Sequence, residues 1–513
     1  MTDTMKEYVN GETPLPDHNV IWPLYGAGFE NLGQEGKPID APMPAYGPDE
    51  LLVRHDAVGL CFSDIKVIKL GEEHPRIYRK MKENPVVLGH EVSMTVVGVG
   101  ENLKKDYHPG DRFIIQADIY VDGVGYAYGY EMQGGLSRYG LIDRRVLEGD
   151  EGNYLLPIKD TTGYAESALT EPWACVIAAY GLEYRSKLKA GGTTWIIGTS
   201  SAEGHDYTIS AGFDTASHPI RLLLTNIPSA FAKQLKNQAQ NLGVEVIDVA
   251  DVAHPPVEQI DDIVLLGADA DLVEKVSPRL ADKGMFAVVA DQKFSRRLKV
   301  DMGRIHYNGW EYVGTTSADI AKAYSEVPVR SALKAGGSAW FVGAAGPMGR
   351  MHVQRALQVP NGPKTVICTD VSDHRLEDLK NSFMPEAKAN DIDYICINPM
   401  KDPEAFKALM NPYLENGFDD IVVLAPVPAL ISDSARYLAA KGVMNVFAGV
   451  ARGTMAEVDL SDVYIKQTRW IGQSGSTIQD LRTMLEQEES GVLSTNRAVA
   501  AIGSLNATRD GLQ

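Results

Sequence analysis

The stretch KAGGSAWFVGAAGPMG, residues 334–349, decides the fold, because its WFVG segment has the pattern of a buried strand that runs into a glycine-rich turn. A near copy, KAGGTTWIIGTSSAEG, occupies residues 189–204 and is identical at seven of the sixteen positions. A strand, a glycine-rich turn and a helix in succession are typical of the start of a dinucleotide-binding unit. The chain therefore carries this element twice, and the copies differ most in the turn.

The duplication extends well beyond the turn. After residue 189, apolar strands alternate with helical segments, which predicts a parallel sheet with crossover connections. The later strands of the first copy are RLLLTN (221–226), DIVLLG (262–267) and MFAVVA (285–290). Those of the second copy are TVICTD (365–370), DIVVLAP (420–426) and VMNVFAG (443–449). Residues 309–324 and 469–481 also resemble each other, so we interpret the whole region as a duplicated unit.

Before residue 189 the pattern is different. Short apolar strands separated by Gly, Pro and Asp, such as PDELLVRHDAVGL (48–60) and EVSMTVVGVG (91–100), predict a small β-barrel or sandwich. A helix is predicted over Tyr164–Tyr180, with an interruption at the Glu171-Pro172 step. The predicted fold class is α/β, with a β-barrel domain followed by two tandem Rossmann-like, doubly wound parallel sheets.

The second copy keeps the features that a dinucleotide needs. Gly343, Gly346 and Gly349 follow the strand directly and allow a tight turn with close approach of the backbone to a pyrophosphate. Pro347 and Met348 complete this turn, and Asp370 ends the next strand, where a carboxylate binds the ribose hydroxyls. These residues are the predicted cofactor site. A carboxylate at this position repels the 2′-phosphate of NADP, so NAD is predicted in preference to NADP.

Two basic residues follow Asp370 closely. Arg375 and His374 could soften the preference for NAD, and Arg375 is included in the predicted cofactor site. The alternative is that both are solvated helix residues.

The turn of the first copy is altered. Ser201 replaces the middle glycine, Glu203 places a carboxylate where a pyrophosphate belongs, and the second strand ends in Asn226. We interpret this copy as a structural or assembly module that has lost dinucleotide binding. The alternative is that it still binds a nucleotide in an altered form.

Composition limits the partners. The chain has 513 residues and a formal net charge of −19, which argues against a nucleic acid or an anionic membrane as partner. No apolar run is long enough to span a bilayer, and the polar N-terminus is not a secretory signal. Four widely spaced cysteines favour a reducing compartment, so a cytoplasmic location is predicted.

Three segments before residue 189 carry metal-ligand types: GLCFSD (59–64), VLGHE (87–91) and LTEPWACV (169–176). They supply a thiolate from Cys61, an imidazole from His90, and carboxylates from Glu91 and Glu171. A mixed set of S, N and O donors is what zinc accepts in catalytic sites. Singly, such a cysteine is more often a small buried apolar residue, and a His-Glu pair is more often surface.

Together with GGLSRYG (134–140) and the GAAGPMG turn, these segments resemble the zinc-dependent medium-chain dehydrogenase/reductase family, in particular its polyol branch of sorbitol and threonine dehydrogenases. CFSDIK (61–66) and AYGYEMQGGLS (127–137) also resemble sugar-phosphate reductases of the sorbose 1-phosphate type. The resemblance implies a GroES-like zinc catalytic domain at 1–188, completed by about 482–513. It further implies a degenerate Rossmann-like domain at 189–330 and an NAD-binding Rossmann domain at 331–481.

The resemblance also implies roles for residues. Cys61, His90 and Glu91 would be zinc ligands, and Glu171 a ligand that exchanges with water. Ser63 would relay the substrate proton, and Asp64 would orient His90. Three departures from the family pattern stand out in the sequence. Phe62 replaces a usual glycine, Lys66 stands where an outer relay histidine is common, and residues 100–150 contain no cysteine.

These departures limit the prediction. Lys66 is either the outer member of the relay or a plain surface lysine. The absence of a four-cysteine lobe predicts one catalytic zinc and no structural zinc.

The predicted function is therefore zinc-dependent hydride transfer between NAD(H) and a secondary alcohol or ketone of a polyol, sugar or sugar phosphate. A zinc-free reductase of the same superfamily and a non-catalytic NAD(H)-binding sensor or scaffold are the alternatives. The basic segment HPRIYRKMKENP (74–85) is either a clamp for a substrate phosphate or a solvated loop. The resemblance also implies a homo-oligomer, a dimer or tetramer, in which a strand such as VMNVFAG pairs two subunits.

Overall fold

The computed structural model describes residues 2–513, which form two compact units. The terminal unit contains the residues up to Ile177 together with Gly475–Gln513, and the central unit contains Ala178–Ser474. In this described part of the chain, the helices are all too short or too polar to cross a membrane.

Among its described residues, the terminal unit has eleven strands: β1 His18–Ile21, β2 Pro23–Leu24, β3 Ile39–Pro42, β4 Leu51–Gly59, β5 Val86–Val87, β6 Glu91–Val99, β7 Arg112–Ile115, β8 Tyr120–Val121, β9 Val124–Gly125, β10 Tyr139–Ile142 and β11 Leu155–Pro157. Its α-helices are Asp3–Val9, Phe62–Leu70, Arg144–Leu147, Tyr164–Ala168, Thr170–Gly181, Ile478–Glu489 and Thr508–Leu512. Short 3-10 helices cover Phe29–Asn31, Gly71–Glu73, Glu101–Leu103, Thr495–Ala498 and Leu505–Ala507.

Five of these strands form one antiparallel sheet in the order β10-β4-β6-β7-β11. Alternate residues of β6, namely Val92, Met94 and Val96, join Leu51 and Val53 of β4 in a buried apolar cluster. This two-residue period is the reason why the segment forms a strand with an apolar face. It leaves Glu91, the first residue of β6, on the other face.

The helix predicted over Tyr164–Tyr180 is two helices, and they separate at Leu169 rather than at the Glu171-Pro172 step. The prediction was wrong because Pro172 falls in the first turn of the helix Thr170–Gly181. Backbone N–H groups in a first turn have no intrahelical acceptor, so proline costs little there.

The central unit has fourteen strands: β12 Thr193–Gly198, β13 Arg221–Thr225, β14 Glu245–Asp248, β15 Ile260–Leu266, β16 Leu280–Val289, β17 Leu298–Asp301, β18 Glu311–Thr315, β19 Ser338–Val342, β20 Thr365–Thr369, β21 Asp393–Ile397, β22 Phe418–Val423, β23 Leu438–Val446, β24 Met455–Val458 and β25 Arg469–Ile471. Its α-helices are Ser229–Leu242, Ala270–Val276, Met302–Asn308, Lys322–Ser325, Pro347–Gln358, Asp373–Ala389, Pro403–Met410, Pro428–Ala435 and Asp462–Ile465. Its 3-10 helices cover Ser200–Ala202, Ser277–Arg279 and Asn411–Leu414.

Twelve of these strands form one sheet in the order β14-β13-β12-β15-β16-β18-β25-β23-β22-β19-β20-β21. In the part of the chain that the structure describes, neighbouring strands of this sheet are parallel except at the centre, where β18 and β25 pair antiparallel. The predicted α/β class with a duplicated parallel sheet is confirmed. The three-domain division at 189, 331 and 482 stays a prediction, and its second and third parts share this sheet.

The two copies are related by an approximate two-fold axis. Read outward from the centre, the strands follow the same order in both copies. Asp262 in β15 and Asp420 in β22 hold the same register position in their respective copies. Tyr312 and Trp470 are the same number of residues apart as this pair, so they are equivalent positions as well. Because Tyr312 and Trp470 pair with each other, the axis passes through this pair.

A tryptophan at the equivalent position of each copy makes the same hydrogen bond. Trp195 donates from Nε1 to Thr225 Oγ1 at 2.9 Å, and Trp340 donates to Thr369 Oγ1 at 3.0 Å. Each bond ties the first strand of a copy to its second strand, so both copies keep the same core.

The expectation that the VMNVFAG strand pairs two subunits was wrong. This segment is β23, which lies between β25 and β22 in the interior of the sheet, so its hydrogen-bonding edges are already used. The outer strands are β14 and β21. The oligomeric state itself stays a prediction.

A buried ion pair lies at the central join. Arg469 donates from Nε to Glu311 at 2.8 Å and from its other nitrogens to the carbonyls of Pro328 and Arg185, and both charged side chains are buried. Glu311 and Arg469 hold equivalent registers in the two copies. Two identical copies would bring like charges together, so the copies have diverged into complementary partners.

Arg469→Met should therefore lower the free energy of unfolding by about 3–5 kcal/mol, because it leaves the buried Glu311 carboxylate without its partner. Urea unfolding followed by tryptophan fluorescence measures the change. The double variant Glu311→Gln/Arg469→Met is the control and should recover part of the loss. A loss below about 1 kcal/mol in the single variant, as for a surface pair, would contradict this account.

Candidate functional site

Three of the four predicted ligands converge in the terminal unit. Cys61 precedes the helix Phe62–Leu70 that follows β4, and His90 and Glu91 lie at the start of β6. Antiparallel pairing places Gly59, the last residue of β4, opposite Glu91. The ligand atoms of Cys61, His90 and Glu91 all lie within 4.8 Å of one another. Strand pairing thus brings the segments 59–64 and 87–91 together.

Gly59 makes room for this arrangement. A Cβ atom at Gly59 would lie 1.9 Å from Oε2 of Glu91, closer than atoms can approach. The glycine therefore provides the space into which the Glu91 carboxylate folds toward Cys61 and His90.

Asp64 ties the two segments together. Its buried carboxylate accepts hydrogen bonds from the Cys61 N–H at 3.0 Å and from the Gly89 N–H at 3.3 Å. Its Oδ1 also lies 3.3 Å from Nδ1 of His90. A buried carboxylate this close to an imidazole can help to hold the ring in place.

The charges of the three side chains are strongly coupled. Burial raises the pKa of the Cys61 thiol, but the hydrogen bond and charge of His90 outweigh it, so the net pKa is lowered. Burial lowers the pKa of His90, but the charges of Asp64 and Tyr130 and hydrogen bonding to Asp64 and Cys61 together outweigh burial and hold this pKa well above the usual range. Burial and the nearby Cys61 charge raise the pKa of Glu91 well above its usual range.

These donors fit a divalent transition metal. A thiolate and a carboxylate packed together repel each other, and a cation between them removes that repulsion. The S, N and O donors are those that zinc accepts. Among residues 2–513, Cys61, His90 and Glu91 are the acidic, histidine and cysteine side chains that lie close enough together to hold a metal ion.

Glu171 lies outside this group of three. It belongs to the first turn of the helix Thr170–Gly181 and is partly buried. Burial raises its pKa to about 8, with His90 and Glu91 close enough to shift it in opposite directions. Its role as an exchanging ligand stays a prediction.

Ser63 and Lys66 lie on the helix after Cys61, three residues apart and hence on neighbouring positions of one face. Burial raises the pKa of Tyr130 to about 12, and the nearby Ser63 side chain acts in the opposite direction. Lys66 is partly buried, with Nζ 5.6 Å from the Phe62 ring centroid. Their relay roles stay predictions.

Tyr130 is a site residue that sequence reasoning did not single out. Its ring centroid lies 5.6 Å from that of His90 and 5.3 Å from that of His74. The tyrosine-rich segment 120–132 was a visible signal, but nothing in it distinguishes Tyr130 from its neighbours. His74 was likewise seen only as part of the basic segment.

The basic segment 74–85 is largely neutralised. Arg76 forms ion pairs with Asp118, Arg79 with Glu131, and Lys80 with Glu72. A phosphate would have to displace these carboxylates, so the structure favours the loop interpretation over a preformed phosphate clamp.

The glycine-rich turn of the second copy has the shape that a pyrophosphate requires. A Cβ at Gly343, where φ is +81°, would lie 2.7 Å from Ala425, and one at Gly349 would lie 2.3 Å from the Ala344 carbonyl. A Cβ at Gly346 would meet nothing within 4 Å among the described residues. Two glycines thus permit close packing, while Gly346 leaves the backbone open to a ligand.

The rest of the predicted cofactor site surrounds this turn. Gly346 is the N-cap of the helix Pro347–Gln358, which has Pro347 and Met348 in its first turn. Asp370 accepts hydrogen bonds from the Ala345 N–H at 3.0 Å and the Ser372 N–H at 3.1 Å. Arg375 is exposed and contributes its backbone N–H to the cap at Ser372.

The first copy lacks this shape. Residues 203–220, all of which the structure describes, contain no α-helix where the second copy has Pro347–Gln358. The Thr199 hydroxyl is hydrogen-bonded to that of Ser201 at 2.9 Å, and both would clash with a Cβ at Gly267. Loss of dinucleotide binding stays a prediction, and the missing helix N-terminus is a second reason for it.

Chelator-treated protein should bind one equivalent of zinc in a competition titration. Cys61→Ser and Glu91→Gln should weaken binding at least about 100-fold, because each removes a ligand, and Asp64→Asn about 10–100-fold, through loss of imidazole orientation. Glu171→Gln is the matched control and should change the affinity less than about tenfold. Equal losses in all four variants would contradict the three-ligand assignment.

Gly346→Asp should abolish NAD(H) binding, because it places a carboxylate at the open turn, where an added Cβ meets no described atom within 4 Å. Isothermal titration with NADH measures this, and the melting temperature should stay within a few degrees. Ser201→Asp, the equivalent change in the first copy, is the control and should leave NADH affinity unchanged. Retained affinity in Gly346→Asp would place the cofactor elsewhere.

The comparisons with known proteins agree with this geometry. Residues 47–148 match the family described as "Alcohol dehydrogenase GroES-like domain". Mannitol-1-phosphate 5-dehydrogenase of Aliivibrio fischeri is 26% identical over 356 residues, which cover 63% of this chain and 82% of that protein. L-sorbose 1-phosphate reductase of Klebsiella pneumoniae is 26% identical over 320 residues, which cover 57% and 75%.

A solved structure extends the likeness to nearly the whole chain. A candidate zinc-binding dehydrogenase of Sinorhizobium meliloti, bound to NADP, superposes with a TM-score of 0.52 over 97% of this chain and 96% of that one, at 16% identity. At this identity the likeness shows the fold alone. Together, these matches confirm the resemblance found in the sequence: residues 47–148 match the alcohol dehydrogenase GroES-like domain, the chain is similar to dehydrogenases and reductases of the polyol branch, and it is an oxidoreductase of the alcohol/polyol dehydrogenase type.

Proposed function

We propose that the protein is a zinc-dependent dehydrogenase that transfers a hydride between NAD(H) and a secondary alcohol or ketone of a polyol, sugar or sugar phosphate. The observation that carries the proposal is the convergence of Cys61, His90 and Glu91 within 4.8 Å. A zinc-free reductase or an NAD(H) sensor has no need of this donor set beside a buried orienting carboxylate.

Cys61, His90 and Glu91 would hold a single zinc ion. When bound, zinc would supply a Lewis acid that polarises the substrate oxygen and lowers the pKa of an alcohol. The Asp64 carboxylate beside His90 would help to hold the ring, and the missing side chain at Gly59 leaves room for the Glu91 carboxylate.

The protein must also move a proton, because oxidation of an alcohol releases one from the hydroxyl. Ser63 would accept it, and its closeness to Tyr130, whose ring lies 5.6 Å from that of His90, supports this role. Lys66, on the same helix face, and His74, beside Tyr130, are the groups that could pass it outward.

The second copy of the central unit would bind the dinucleotide. Its open turn at Gly346 would accommodate the pyrophosphate, and the Asp370 carboxylate beside this turn would bind the ribose hydroxyls. Bound NAD supplies the hydride acceptor, and NADH the hydride donor. The Asp370 carboxylate favours NAD, because it would repel a 2′-phosphate, although the related Sinorhizobium meliloti structure holds NADP.

The substrate is proposed to be a small polyhydroxylated molecule. Two related proteins are named for mannitol 1-phosphate and sorbose 1-phosphate, which supports a sugar alcohol or its phosphate. The paired cations of segment 74–85 do not offer a ready phosphate site. The choice between free and phosphorylated polyol is therefore left to the substrate panel below. A cytoplasmic homo-oligomer remains part of the proposal.

The first experiment follows absorbance at 340 nm with NAD and a panel of polyols and their phosphates, together with zinc content. We expect turnover with about one zinc per chain. Ser63→Ala should lower kcat about 10²–10⁴-fold with zinc retained, because it removes a proton acceptor. Cys61→Ser should lose both zinc and turnover.

The outcomes separate the alternatives. NADH binding without turnover on any compound would favour a sensor. Turnover that persists in Cys61→Ser would favour a zinc-free reductase.

A further inference from the structure

A helix of the first copy packs against the second copy. The helix Met302–Asn308 belongs to the first copy, yet it lies beside residues that follow β23 and β25 of the second. A Cβ at Gly472, just after β25, would lie 2.5 Å from the Ile305 carbonyl oxygen. A Cβ at the exposed Gly449, just after β23, would lie 3.1 Å from the Tyr307 hydroxyl and 3.5 Å from Nε2 of His306.

Several bonds fix this helix in place. The Met302 N–H donates to the Thr454 carbonyl at 3.0 Å, and the Gly453 N–H donates to Asp301 at 2.9 Å. Arg452 donates from Nε to Asn308 at 2.9 Å, and its guanidinium lies 5.1 Å from the Tyr307 ring centroid. Strands β17 and β24 also pair antiparallel beside it. The positions of His306 and Tyr307 are therefore determined from both ends of the helix.

The contacted residues lie at the edge of the sheet where a dinucleotide binds. In a doubly wound sheet, the ligand lies across the carboxyl ends of the strands, at the point where the strand order reverses. Here that point lies between β19 and β22. The turn at Gly346 and the carboxylate of Asp370 mark the adenosine side, over β19 and β20. The nicotinamide side is then over β22, β23 and β25, which lead into Gly449 and Gly472.

We infer that the first copy, although degenerate, contributes His306 and Tyr307 to the nicotinamide end of the cofactor site in the second copy. This inference rests on the proposed NAD(H) binding of the second copy and deepens it. The Tyr307 hydroxyl and the His306 imidazole offer polar contacts to the nicotinamide and its ribose, which the second copy's own glycine at 449 cannot offer. The first copy thus completes a binding site that its own turn no longer forms.

The second copy makes the equivalent contact with the first copy, but this contact is different in kind. Tyr464 of the second copy is equivalent to His306, and it donates from its hydroxyl to the Gln292 carbonyl of the first copy at 2.6 Å. It also packs edge-on against the buried Phe294, with ring centroids 5.8 Å apart. Each copy covers the end of the other's sheet, but only the contact on the second copy adjoins an intact glycine-rich turn.

The test compares Tyr307→Phe with Tyr464→Phe in the full chain, with affinities for NADH and for ADP-ribose measured by titration. ADP-ribose occupies the adenosine and pyrophosphate subsites but lacks nicotinamide. Tyr307→Phe keeps the ring over Arg452 and removes only the hydroxyl, so it should weaken NADH binding about fivefold. ADP-ribose affinity should change less than about twofold. Tyr464→Phe should change neither affinity, and His306→Ala should repeat the pattern of Tyr307→Phe.

The two affinities distinguish failure of the inference from failure of the proposed cofactor assignment. NADH affinity unchanged in both Tyr307→Phe and His306→Ala would overturn the inference and leave the proposed function standing. Equal losses for NADH and ADP-ribose would also overturn it, because they would indicate a structural effect. Wild-type protein that binds neither ligand would overturn the cofactor assignment itself, and the inference with it.

Discussion

The antiparallel pairing of β18 with β25 is the contact on which the architecture of the central unit depends. Every other step in the twelve-stranded sheet is parallel and lies within one copy, so this join alone makes one sheet out of two. The join is reinforced by Arg469, which contacts Glu311 and two backbone carbonyls in a buried environment. A buried charge pair contributes specificity only when both members are satisfied, and here the two members come from different copies.

The join has consequences at the ends of the strands. An approximate two-fold axis through Tyr312 and Trp470 brings the segment after β17 to the second copy, and the equivalent segment after β24 to the first. The copies can therefore diverge in their turns while each still depends on the other for packing. This explains why the first copy keeps its Trp195–Thr225 bond and its sheet order but not the helix that a phosphate needs.

The metal cluster of the terminal unit follows from a different constraint. The register of β4 against β6 places Gly59 beside Glu91, and Asp64 holds the turn after Cys61 against the backbone before His90. A single buried carboxylate thus organises donors from two segments. The coupled pKa shifts of Cys61, His90 and Glu91 follow from packing three ionisable groups in a space that water enters poorly.

The sequence by itself determined the features that depend on local pattern. The repeated Trp195 and Trp340, the strand periods and the glycine turn at Gly346 predicted a duplicated α/β unit, because strands and turns are encoded by short-range spacing. The donor types of Cys61, His90 and Glu91, together with the family resemblance of their segments, predicted a metal site. The tertiary structure alone decided which groups meet across long separations. It placed β23 in the interior, paired Arg76 with Asp118, added Tyr130 beside His90, and brought Tyr307 to Gly449. The sequence around each of these residues does not indicate which residue it contacts. The contacts therefore follow only from the register and symmetry of the folded sheets.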